Sequence, residues 1–365
     1  MRARVSISDG IGQGRDNFLA LRHVLAGCVL VSHAFFVVNG PAVAEPLLAT
    51  TGLDLGQHAV NLFFTISGFL VVQSLERRGL AGYGQARALR LFPGLAVAVL
   101  VAAFVIGPLA TTLGLGAYFR DPRSWLFIGD ILPRFDGHAT LPGVFGQQPA
   151  SEVMITIWTI KYEIACYVLL AIGGVFGLTR RRAVLAVVVG GFLVMLAGTL
   201  VSLPDAVLSL ARFGLCFAIG VAGWLYREEL PLRARYVLAL AALAVLFSGT
   251  RAGIPVMIVA ECYGVLWLAF LPFARDSDRS SRQAAPDLSY GIYLYGFPLE
   301  QFIYFLLRPA GPWELLALAL PATLLVAALS WYLVEKPALS LKARRATVVR
   351  RSVTSQSAVE ADGRG

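Results

Sequence analysis

NFLALRHVLAGCVLVSHAFFVV, residues 17–38, is the stretch that decides the fold. From Phe18 it is an almost unbroken apolar run of roughly 20 residues, the length of an α-helix that crosses the ~30 Å hydrocarbon core of a bilayer. Three ionisable residues stand inside it: His23, which points elsewhere and reads as interfacial, and the pair Arg22 and His33. A charged side chain at the centre of a membrane helix costs about 3 kcal/mol or more, so each such residue is a functional candidate by default. The two are eleven residues apart. At about 100° per residue that is close to three full turns, so both lie on one face, roughly 16 Å apart along the axis. Taken singly, Arg22 reads as a side chain snorkelling to the headgroups and His33 as a helix–helix hydrogen bond. Together on one face they point to a polar path through the membrane.

The rest of the chain repeats the pattern of that first run. Of 365 residues 57% are hydrophobic and only 15% charged, against about 25% charged in soluble domains. Ten spans are expected, at 18–38, 58–75, 91–110, 155–176, 183–202, 206–226, 236–250, 254–273, 288–307 and 313–334. The fold class is therefore all-α: a polytopic bundle of about ten transmembrane helices with both termini cytoplasmic. The organisation read from it is a lead-in over 1–17, one membrane domain over 18–340 and a basic, disordered tail over 341–365. With the N-terminus inside, the cytoplasmic loops hold Arg77, Arg78, Arg87, Arg90, Arg180, Arg181, Arg182, Arg227, Arg233, Arg235, Arg275, Arg279 and Arg282. The outside loops hold only Arg120, Arg123, Arg134, Arg251 and Arg308. That asymmetry is the positive-inside pattern, and it accounts for the net charge of +9 without nucleic acid. The four cysteines, Cys28, Cys166, Cys216 and Cys262, all sit in apolar runs without paired spacing and read as small buried hydrophobes. No metal-ligand spacing occurs, and no metal is expected.

Further polar groups mark the same membrane path. NLFFTISGFLVVQS, residues 61–74, carries Ser67 and Gly68, a small pair that permits close helix approach. Arg87 and Arg90, three apart, share a face if helical and suit bidentate contact with phosphates; topological anchoring is the plain reading. Glu163, in IWTIKYEIACY, is expected at the depth of His33 and needs a partner, with His33 or Lys161 as candidates. Glu261 and Arg212 are intramembrane residues without a supporting motif. The connection at about 111–154 is long enough to form part of an acceptor-binding surface or to be a plain surface loop.

Six short blocks in order carry a resemblance. They are Arg22 with His33, NLFFTISGFL (61–70), RALRLFP (87–93), WTIKYE (158–163), SYGIYLYGFP (289–298) and VEKP (334–337). Over about 15–340 the chain resembles the membrane acyltransferase-3 family, the bacterial O-antigen and nodulation-factor O-acetyltransferase type. Asn61 stands where many members have Asp, and Gly296 where many have His, which leaves that histidine's role unfilled. No appended hydrolase-like domain is recognised, so transfer would be completed in the membrane domain or passed to a separate protein.

The resemblance implies acetyl-CoA or another acyl-CoA as donor substrate, with no permanently bound cofactor. It implies a hydroxyl of a glycan or other extracytoplasmic compound as acceptor, and a place in the bacterial inner membrane. Physical chemistry fits roles to residues. Arg22, Arg87 and Arg90 would hold the phosphates of coenzyme A. His33 would be the general base, Glu163 would orient its imidazole, and Ser67 or Asn61 would donate to the oxyanion. The alternative is a transporter or flippase for a lipid-linked glycan or small anion, which intramembrane Arg, His and Glu also fit. It predicts inverted repeats with broken helices, and none is evident.

Overall fold

Backbone groups in hydrocarbon can bond only to one another, and the apolar runs accordingly fold as helices. The computed structural model of the chain describes residues 7–12, 16–41, 43, 45–271 and 285–341. Arg275, Arg279 and Arg282, most of the expected tail (342–365) and the first six residues of the lead-in lie outside the described residues. Among the described residues there is no strand, only an isolated bridge between Thr111 and Val144.

In chain order the helices are α1 (Ile7–Gly12), α2 (Phe18–Asn39), α3 (Pro46–Thr51), α4 (Leu55–Val101), α5 (Gly107–Ala110), α6 (Leu115–Arg120), α7 (Pro122–Arg134) and α8 (Ile160–Val175). They continue with α9 (Arg181–Ala197), α10 (Asp205–Leu225), α11 (Ala234–Phe247), α12 (Gly253–Ala269), α13 (Ser289–Leu307) and α14 (Pro312–Ser330). A 3₁₀ turn, Ile155–Thr159, leads into α8, and π-helical turns follow α4 (Ala102–Ile106) and α14 (Trp331–Glu335).

Five helical runs are long and apolar enough to cross a membrane: Phe18–Asn39, Leu55–Ala110, Ile155–Val175, Asp205–Leu225 and Pro312–Leu341. The apolar helices α11 and α12 are shorter. One expectation is corrected: residues 76–90, expected as a loop between the second and third spans, are helical apart from Gly79, and α4 runs from one expected span into the next. The helix is interrupted at Gly79, whose φ of 65° and ψ of 177° lie where a residue without Cβ goes most readily. The lipid-facing character of the surface is plain on α11. It buries no residue, and Leu238, Val245 and Leu246 are about 70% exposed, a surface that suits lipid rather than water.

The core lies where α4, α10, α2 and α13 meet. α4 and α10 cross at backbone distance. A Cβ on Gly68 would fall 2.1 Å from the carbonyl oxygen of Phe217, and one on Gly220 would fall 2.0 Å from that of Thr65. The close approach expected of the Ser67–Gly68 pair is met by a glycine on the partner helix. α2 and α13 run side by side in the same direction. Arg22 meets Asp287 just before α13 starts, and farther along His33 meets Phe297. The Asn17 side chain ties the start of α2 to the end of α12, donating to Leu268 and Leu271 carbonyls at 3.1 and 2.8 Å. α4 starts from a capping box: Asp54 accepts from the Gln57 N–H at 2.6 Å, and Gln57 accepts from the Asp54 N–H at 3.4 Å.

Candidate active site

Two adjoining cavities lie between these helices. The first has a volume of ≈ 320 Å³ and is lined by Arg22, Arg87, Arg90, Ser67, Glu163, Tyr167, Asp287 and Tyr290, among others. The second, ≈ 220 Å³, is lined by His33, Ser32, Asp54, Gln57, Trp158, Arg212 and Phe213, among others. They are called here the arginine cavity and the histidine cavity.

Asp287 is the hub of the arginine cavity. Its Oδ2 accepts from Arg22 Nη1 at 2.6 Å and from Arg90 Nη2 at 2.9 Å. Arg90 also lies 3.5 Å from Glu335. Burial alone would raise the Asp287 carboxyl, but the two guanidiniums and the Ser289 hydroxyl outweigh it and hold it at about 2. Arg87 is placed differently. Its guanidinium lies over the Tyr167 ring at 5.7 Å from the centroid. Its buried Nε has no hydrogen-bond partner, and it makes no ion pair among the described residues. The helical path of residues 86–91 brings Arg87 and Arg90 into one cavity, as their spacing requires. Arg90 is engaged by carboxylates and Arg87 is not.

Glu163 departs from expectation. It lines the arginine cavity and accepts a hydrogen bond from Tyr167, one turn along the same helix. The Tyr167 hydroxyl is also 3.1 Å from Ser67 Oγ. Neither His33 nor Lys161 partners Glu163; Lys161 instead sits 5.3 Å from the Tyr162 ring. The sequence reading measured depth along one helix. It missed a tyrosine at i+4, which reaches the carboxylate without crossing between helices.

His33 packs edge-on against Phe297, with ring centroids 5.3 Å apart. Neither of its ring nitrogens has a hydrogen-bond partner among the described residues. Asn61 lines neither cavity, so its expected part as an oxyanion donor is not supported. It is fully buried and accepts from Arg212 Nε at 2.8 Å, while its own Nδ2 has no partner. Arg212, also bonded to the Gln57 carbonyl at 3.0 Å, is the cationic side chain that faces the histidine cavity. Ser67 lines the arginine cavity, away from His33. A Cβ on Gly296 would meet Leu30 Cδ1 at 2.8 Å, the far end of a flexible side chain, so a larger residue there requires Leu30 to shift.

Sequence reasoning passed over Asp287, Tyr167 and Tyr293. Asp287 carried a signal: it is an acidic residue two positions before the SYGIYLYGFP block. Tyr293 stood inside that block and Tyr167 in IWTIKYEIACY, but aromatic residues in apolar runs read as packing, so neither was singled out.

The family model described as an acyltransferase domain, Acyl_transf_3, matches residues 16–335. The chain is 24% identical over 336 residues to an O-acetyl transferase of Shigella phage Sf6, spanning 87% of this chain and 94% of that one. It is 29% identical over 371 residues to Nodulation protein 10 of Rhizobium leguminosarum bv. viciae, spanning 92% and 96%. No solved structure matches. The matched segment takes in the histidine cavity and all of the arginine cavity's lining but Leu339, and the chain belongs to the acyltransferase-3 family.

Proposed function

We propose that this protein is an integral-membrane O-acyltransferase of the bacterial inner membrane. It moves an acyl group, acetyl in the simplest case, from cytoplasmic acyl-CoA to a hydroxyl of a glycan or other extracytoplasmic acceptor. One observation carries the reading: a cavity lined by arginines adjoins a cavity lined by an unpartnered histidine, within a chain of an acyltransferase family. The name of the phage relative, an O-acetyl transferase, supports the oxygen acceptor. The positive-inside pattern supports ten spans with both ends in the cytoplasm, which puts Arg22 near the inner face and His33 toward the outer one.

The donor's phosphates need cations on the cytoplasmic side. Arg87 is the residue best placed, since its guanidinium has no carboxylate to give up. Arg22 and Arg90 are tied to Asp287, yet each guanidinium has five N–H donors and keeps some free for phosphate. The acyl thioester then reaches toward His33. The acceptor oxygen bonds to the acyl carbon, its proton passes to the imidazole, and the carbon–sulfur bond breaks. The departing thiolate regains a proton, so the products are the ester and free coenzyme A. An imidazole that starts neutral can take that proton. Arg212 brings positive charge to the histidine cavity, where the oxyanion would develop.

Labelled acetyl-CoA supplied to the protein in liposomes, together with mass spectrometry of surface glycans with and without the gene, tests the reading. An acetyl-sized mass difference that His33→Ala removes is expected. An unaltered glycan and secreted-metabolite profile, with no coenzyme A released by the purified protein, would overturn it.

A further inference from the structure

The two cavities share three lining residues: Val60, Thr159 and Tyr293. Val60 is an apolar wall. The other two are joined through their hydroxyls, and the Tyr293 hydroxyl also donates to the carbonyl of Thr156 at 2.5 Å. Both threonines belong to the 3₁₀ turn Ile155–Thr159. Short 3₁₀ stretches have poorer hydrogen-bond geometry than α-helix and often mark hinges. Thr156, whose carbonyl accepts from Tyr293, has its own Oγ1 buried without a hydrogen-bond partner. An orphaned hydroxyl there is a vacant hydrogen-bonding position next to a tyrosine already bonded on two sides.

We propose that Tyr293, held by Thr159 and Thr156, is a positioning residue that keeps His33 from the acyl thioester until an acceptor is in place. The inference rests on the acyl-transfer reading and adds to it a means of choosing between acceptor and water. While the partition is closed, a thioester in the arginine cavity lies on one side of it and His33 on the other. Opening it requires a tyrosine side-chain rotation and the loss of hydroxyl hydrogen bonds, each of modest net worth in a folded protein. An acceptor entering the histidine cavity meets Thr159 and Tyr293 as part of its wall and can replace those bonds with its own hydroxyls. The displaced tyrosine or the acyl carbonyl then has Thr156 Oγ1 as a partner. Assembly of the reactive site by the correct substrate is how induced fit excludes water. Without the partition, His33 would activate water: the water oxygen bonds to the acyl carbon, its proton passes to the imidazole, and free acid and coenzyme A leave.

The test uses the full chain in nanodiscs with acetyl-CoA as the only substrate. Coenzyme A release is followed by a thiol reagent and acetyl-CoA binding by equilibrium dialysis. Tyr293→Ala removes the ring. Thr159→Val keeps the shape and removes only the hydroxyl, so it remains informative if the larger change impairs folding. Each should raise acceptor-independent release by about fivefold or more, the scale of one lost hydrogen bond. Adding His33→Ala to either should return release to the wild-type level, which a merely loosened bundle would not do. If the variants bind acetyl-CoA and release is no faster than in wild type, or if the gain survives loss of His33, the partition role is overturned. If the wild-type protein binds no acetyl-CoA, the donor reading falls and takes this inference with it.

Discussion

At the scale of single residues, the three arginines of one cavity are not equivalent. Arg90 lies between two carboxylates with its side chain 13% exposed, whereas Arg87 pairs with none among the described residues. Removing one partner of a largely buried ion pair strands the other. Arg90→Ala should therefore cost about 2 kcal/mol or more of stability, seen as a lowered melting temperature in detergent. Arg87→Ala strands no carboxylate and should leave the melt nearly unchanged. It should weaken acetyl-CoA binding by about tenfold, the scale of one charge-assisted hydrogen bond, measured by equilibrium dialysis. Unchanged binding would reduce Arg87 to a topological anchor. Glu163 offers a second contrast. If it oriented His33, Glu163→Gln would move the pH profile of transfer. It lines the arginine cavity and bonds to Tyr167, so if that cavity takes the donor as proposed, the expected result is a raised KM for acyl-CoA with the pH profile unmoved. His33→Ala should lower the transfer rate by at least about 100-fold, the low end of what a positioned general base supplies.

At the scale of elements, the crossing of α4 and α10 sets the width of the site. Glycines contributed from both sides, Gly68 and Gly220, let the backbones touch. This holds the leg of α4 that carries Ser67 against the helix that carries Arg212 and Phe213. Gly220→Ala places a methyl group 2.0 Å from the Thr65 carbonyl oxygen. Nothing flexible is there to yield, so the helices must separate. The expected loss is about 1–3 kcal/mol, the usual cost of overpacking, measured as a fall in melting temperature. The motif NLFFTISGFL announces one side of this contact. The other side, in LCFAIGVAGW at residues 215–224, had no signal, because a glycine in an apolar run does not say which neighbour it admits.

At the scale of the whole molecule, the long connection between α4 and α8 contributes to the site's surroundings. Its residues fold into α6, α7 and the 3₁₀ turn rather than a bare loop. Gln301 of α13 holds it, donating to the carbonyls of Ala150 and Glu152 at 2.9 Å. The orientation of the bundle is open to direct measurement. With both ends in the cytoplasm, single cysteines placed at Arg134 and Arg308 should react with a membrane-impermeant maleimide in intact spheroplasts. One placed at Arg181 should react only after lysis. The reverse pattern would invert the assignment of donor and acceptor sides.

The sequence by itself determined the all-helical membrane fold, the family and the shared face of Arg22 and His33. Those properties depend on apolar run length, helical period and ordered motifs, and all three are one-dimensional. It also placed Arg87 and Arg90 on one face, because a spacing of three is a local fact about a helix. Only the tertiary structure decided which groups meet. Asp287 joins Arg22 to Arg90 across more than 190 positions of chain. Glu163 turns to Tyr167 and leaves His33 bare, and Asn61 goes to Arg212. Side-chain partners are set by how helices rotate and cross, and in a membrane those rotations follow from small-residue contacts and buried polar pairs rather than from hydrophobic pattern. The polar path announced by Arg22 and His33 is thus two chambers with a tyrosine between them, an arrangement that no spacing along the chain could display.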